Sequence, residues 1–151
     1  MQITNTTNIP TKTIREIIQF VKPNGVTKYD VMVKNSSSAW AGRAYYQGSS
    51  FHHTSNHFIV VRIGGDKHFP IKRLRYKGHK TSPTYWINSR IEALVMLLAH
   101  ELRHLWQYGQ YKKRHKVKSK RGYYKGVRGY FSEVDAELFT YEKLKAWRAK
   151  Q

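Results

Sequence analysis

His100, Glu101 and His104 form an HExxH motif inside an otherwise apolar run at 89–108, SRIEALVMLLAHELRHLWQY. In a helix, residues four apart lie one above the other on the same face. At about 100° per residue the two histidines fall within roughly 40° of each other, so both imidazoles reach one metal ion. Glu101 points to the side of that pair, where it takes a proton from an attacking water rather than ligating. Zinc is the expected cofactor, because it accepts imidazole nitrogen and carboxylate oxygen and lowers the pKa of bound water toward neutrality. The competing explanation is chance in a chain with eight histidines. Against it, Ile91, Leu94, Val95, Leu98, Leu102 and Leu105 mark a buried main face, and Ala93, Met96 and Leu97 border the histidines. A charged cluster there is costly unless it is paired or binds metal.

A third ligand must come from elsewhere, and with no cysteines in the chain it must be His, Asp or Glu. The metzincin pattern needs a glycine three residues and a histidine six residues after His104; Gln107 and Gln110 stand there, so that class fails. His115 lies among Lys112, Lys113, Arg114 and Lys116, whose charge opposes metal binding. The alternative is the C-terminal helix, which the S-x-x-D pattern from Ser132 to Asp135 starts as a capping box and which runs to about Lys150. On its wheel Val134, Leu138, Tyr141 and Arg148 group on one side, Ala136 and Trp147 on another, and Glu133, Glu137 and Leu144 fall between them. Asp135 and Glu142 lie opposite. Glu133 is therefore assigned as the third metal ligand, and Glu137 as the acceptor for the outer N–H of His100. Reversed roles, or simple pairing of both with Lys or Arg, stay open.

The elements that position these residues follow from pattern. Pro10 precedes a capping box from Thr13 to Glu16, and Ile14, Ile17, Ile18 and Val21 recur at helical spacing until Pro23-Asn24-Gly25 ends the run. Segments 28–34, 40–46 and 57–63 read as strands, with 69–76 and 84–87 as added edge strands. Ser89 to Glu92 is a second capping box, opening the motif helix. Residues 108–130 carry Lys and Arg without an acid, and glycines at 109, 122, 126 and 129 argue against one continuous helix. The expected fold class is α+β, a single domain over 1–151: N-terminal helix, small mixed sheet, HExxH helix, basic loop at 108–130 and C-terminal glutamate helix. His52, His53, His57, His68 and His79 are scattered, which favours surface or packing roles.

Charge bears on partners. Twenty-eight Lys and Arg against nine Asp and Glu give +19, a balance that attracts polyanions, nucleic acid first among them; high solubility is the plainer consequence. In the basic loop Lys112, Lys113, Arg114 and Lys116 are candidates for phosphates, and Tyr123 and Tyr124 for stacking on bases. No apolar run resembles a signal peptide or a membrane span, so a cytoplasmic monomer is expected.

The stretch AHELRHLWQ followed by Glu133-Val134-Asp135-Ala136-Glu137 resembles the gluzincin-type zincins, in which HExxH is completed by ExxA(D/E) on a later helix. The order of elements is similar to minimal zincins such as the ImmA/IrrE and SprT-like groups. Glu133 to Phe139 is similar to the E-x-(E/D)-A-x-x-F stretch of the former; the latter uses a histidine as third ligand, which here is only His115. The resemblance implies a zinc-dependent metallopeptidase acting on a protein or peptide, with Glu101 as general base and Tyr123, Tyr124 or Arg128 as candidate oxyanion donors. A protein associated with nucleic acid would suit the charge. The alternative is a nucleic-acid-binding module with a structural zinc, which would need a closed four-ligand site. Metal-assisted hydrolysis of another bond stays open.

Overall fold

The computed structural model describes residues 1–46, 56–74, 83–115 and 129–151. In chain order these form β1 (Ile3–Asn5), α1 (Thr11–Val21), β2 (Tyr29–Asn35), β3 (Trp40–Tyr45), β4 (His57–Ile63), a 3-10 turn (Asp66–His68), β5 (Ile71–Arg73), β6 (Tyr85–Ile87), α2 (Arg90–His115) and α3 (Gly129–Ala149). The architecture is α+β. One sheet has the order β1-β2-β4-β3; its first three strands are parallel and β3 is antiparallel to β4. β5 and β6 pair with each other as a separate two-stranded sheet. They were expected as edges of the main sheet, and their short spans, three residues each, pair locally instead.

Alternation explains the sheet. Tyr29, Val31 and Val33 of β2 and Ile59, Val61 and Ile63 of β4 are buried, and the same cluster takes in Ile14, Ile17, Ile18 and Val21 of α1. Burying such side chains is the main favourable term in folding, about 1.5–3 kcal/mol for each large aliphatic. α2 packs against α1, β3, β4 and α3, and Ala93 to Ala99 are buried on every side. A helix enclosed in this way has few degrees of freedom, which suits one that carries a site.

The first turn of α2 is fixed by specific contacts. Ser89 Oγ accepts the Glu92 amide at 3.2 Å, and Glu92 Oε1 accepts the Asn88 amide at 3.0 Å. Arg90 fans out to the Gly64 carbonyl at 2.9 Å, Asn8 at 2.6 Å and Asn35 at 3.1 Å, tying the first turn to the sheet. Gly64 is required there, because a Cβ would collide with the Ser38 carbonyl oxygen. Arg148, near the end of α3, clasps Glu92 through Nε at 3.1 Å and a second nitrogen at 2.6 Å, and also donates to the Trp86 carbonyl.

Four boundaries differ from expectation. α1 begins at Thr11 after Pro10, with no side-chain cap, so the Thr13 capping box does not form; proline at the helix entry already supplies the needed φ. β1 was not foreseen, being three residues long. α2 continues past Tyr108 to His115, so residues 108–115 are helical rather than part of a basic loop. A helical Gly109 costs about 1 kcal/mol, but Tyr108 stacks on Tyr46 at 4.3 Å and Tyr111 packs against the core, which holds the added turns. α3 begins at Gly129, so Ser132 lies inside the helix and does not cap it. Among the described residues, no helix is long and apolar enough to cross a membrane.

Candidate metal centre

His100 and His104 project from α2 with ring centroids 4.7 Å apart and ring planes at 80°. Their Nε2 atoms are 3.0 Å from each other. Glu133, on the second turn of α3, reaches both: Oε2 is 3.2 Å from His100 Nε2 and Oε1 is 3.0 Å from His104 Nε2. One atom from each of the three side chains lies within 4.8 Å of the others, a group that could hold a metal ion. Zinc bonds of about 2.0–2.1 Å at tetrahedral angles set ligand atoms about 3.3–3.4 Å apart. The nitrogen–nitrogen distance of 3.0 Å and the approach of one carboxylate oxygen to each nitrogen, at 3.0 and 3.2 Å, are only slightly shorter, so the donor set fits a small dication.

The electrostatics ask for a cation. Burial pushes the His100 imidazole down, but Glu133 and Glu137 outweigh it and raise its pKa to about 9. Burial raises Glu133 and Glu137 as well, yet His100 with His104, and His100 with Arg73, hold them well below the usual carboxylate range. A proton therefore occupies the space between nitrogens and carboxylate when a metal does not.

Glu137 sits one turn beyond Glu133 with Oε1 3.0 Å from His100 Nδ1, an ion-pair contact without the alignment of a directional hydrogen bond. Behind it, Arg73 of β5 donates through Nε at 3.1 Å and through a second nitrogen to Oε1. Arg73 also lies 5.8 Å from the Trp40 ring centroid. It was missed in the sequence, where nothing local links β5 to a glutamate 64 residues away.

Glu101 is 6% exposed and turns toward β3. Burial raises its carboxyl above the ordinary range, against the downward pull of His100 and His104. A Cβ on Gly42 would stand 3.1 Å from Glu101 Oε1 and 3.2 Å from Leu97 Cδ2. Gly42 is itself exposed, so the missing side chain is what leaves the carboxylate room beneath the strand.

Asp135 has a different role from the helix cap expected of it. Arg103 grips it with two bonds, Nε to Oδ2 at 2.7 Å and a second nitrogen to Oδ1 at 2.9 Å, and Gln107 donates to Oδ2 at 2.8 Å. The buried stripe of α3 is Ala136, Glu137, Thr140, Leu144 and Trp147, whereas Leu138, expected on an apolar face, is 43% exposed. Glu101, Glu133, Asp135 and Glu137 thus gather four of the nine acidic residues of the chain in one place.

The other candidates stand at the end of α2 or outside the described residues. Lys112, Lys113, Arg114 and His115 lie at the end of α2, with Lys113 exposed. Lys116, Tyr123, Tyr124 and Arg128 lie outside the described residues, as do His52, His53 and His79. His57 packs edge-on to Tyr46 and Tyr108. No protein-family model, no curated protein and no solved structure matches the chain.

Proposed function

We propose that this chain is a zinc-dependent metallopeptidase in which His100, His104 and Glu133 hold the ion and Glu101 is the general base. The observation that carries the reading is the convergence of three potential ligand atoms from two helices, within 4.8 Å, beside a buried carboxylate outside that group. A structural zinc site is closed by four protein ligands, whereas three leave a position for water; the group numbers three among the described residues.

Zinc, when bound, supplies Lewis acidity that polarises a carbonyl and brings the pKa of a water near neutral. Glu101 accepts a proton from the attacking water and returns it to the leaving amine nitrogen as the C–N bond breaks. Its burial supports that role, since a base with a raised pKa holds the proton long enough to pass it on. Glu137, braced by Arg73, keeps the His100 ring in place. β3 is the last strand of its sheet among the described residues and runs past Glu101 at Gly42. An extended peptide adds to a sheet alongside a terminal strand of this kind, which supports a peptide as substrate. The charge of +19 supports a substrate carried on nucleic acid.

Zinc-loaded protein should cleave an unstructured protein such as casein, lose that activity to a chelator and regain it with added zinc. Single-stranded DNA should speed cleavage of a DNA-bound protein. A chain that retains zinc yet cleaves neither is the nucleic-acid-binding module with a structural ion instead.

A further inference from the structure

The outer nitrogens of the two histidines are served differently. His100 faces a carboxylate, while His104 Nδ1 lies 2.8 Å from the amide oxygen of Gln107. We infer that Arg103, Asp135 and Gln107 form a positioning relay that keeps His104 protonated at Nδ1 and so leaves Nε2 as its only position for a metal. The inference rests on the metal reading above.

The direction of the relay follows from which groups can donate. Arginine only donates and an ionised aspartate only accepts, so the bidentate pair of Arg103 and Asp135 has a single polarity. The remaining capacity of Asp135 Oδ2 takes the amide N–H of Gln107 at 2.8 Å. The reverse amide orientation would set a carbonyl oxygen against a carboxylate oxygen at that distance, so Gln107 must turn its oxygen to His104. An oxygen 2.8 Å from Nδ1 demands a proton there. Nε2 then points at His100 and Glu133.

The relay is also anchored at its far end. The Arg103 guanidinium lies 3.7 Å from the Trp106 ring centroid and 4.9 Å from that of Phe139, so it is held by aromatic faces from both helices. Arg103 and Gln107 belong to α2 and Asp135 to α3, two residues from Glu133. The contact that orients one ligand therefore also fixes the helix that brings another.

The test uses zinc affinity, by competition with a chelator, together with the Nδ1–H resonance of His104 in nitrogen-15-labelled full-length protein, with and without zinc. Wild-type protein should show that proton, and Gln107→Leu should lose or shift it while zinc affinity falls roughly 10- to 100-fold. The double variant Gln107→Glu/Asp135→Asn restores a donor at 135 and an acceptor facing Nδ1. It should recover the resonance and much of the affinity. Gln107→Leu protein that keeps both the resonance and an affinity within about twofold of wild type overturns the relay, as does a double variant no better than Gln107→Leu. Wild-type protein that binds no zinc ends the metal reading instead, and the resonance then judges the relay alone.

Discussion

A His100→Ala/His104→Ala protein should lose nearly all its zinc while keeping its helical content. Two of the three ligand atoms go, and Glu133 alone offers a dication little more than any surface carboxylate. The fold should survive because the histidines sit at the edge of a helix that buries Leu94, Leu98, Leu102 and Leu105 elsewhere. In the wild-type protein the same site predicts a proton count. Two carboxylates raise His100 to about 9, so its ring is charged at neutral pH and must shed a proton to ligate. Zinc should displace about one proton per ion from this ring, and apparent affinity should fall about tenfold for each pH unit below that pKa. Zinc content unchanged in the double variant, measured by metal analysis of purified protein, refutes the ligand assignment.

Glu101→Gln should separate binding from chemistry. The amide has nearly the same shape and fits the same place beneath Gly42, so zinc content should hold. It cannot accept a proton, and loss of a positioned general base costs about 10²- to 10⁴-fold in rate. Glu133→Gln should show the opposite order, with zinc affinity falling first and activity following it. Peptide hydrolysis by Glu101→Gln within about tenfold of wild type would place the base elsewhere.

The legible parts of this molecule are those governed by short-range periodicity. His100, Glu101 and His104 are neighbours on one helix, and alternation marked β2, β3 and β4 to within a residue or so. The wheel of the last helix put Glu133 and Glu137 on one inward face, where they meet the two histidines. Sequence pattern failed where tertiary contacts override local preference. Gly109 reads as a breaker, yet the stacking of Tyr108 on Tyr46 carries the helix through it. Asp135 reads as part of a cap, yet it is claimed by Arg103 and Gln107 across the helix interface. Gln107 had a usable signal, standing three residues after His104 on the same face. Arg73 had none, since only the folded chain sets β5 against α3.

The gathering of four acids in one spot of a chain with net charge +19 has a kinetic consequence. Three of the four are paired, with Arg73, Arg103 and the charged His100, so they leave little net negative charge, and within roughly a Debye length, about 8 Å in physiological salt, an approaching dication meets the positive field of the whole chain. Raising ionic strength shortens the reach of that positive field more than it weakens short contacts to half-buried ligand groups. Added salt should therefore hasten the capture of a metal ion while it loosens any hold on a polyanion. The two kinds of charged partner would answer the same change of medium in opposite senses.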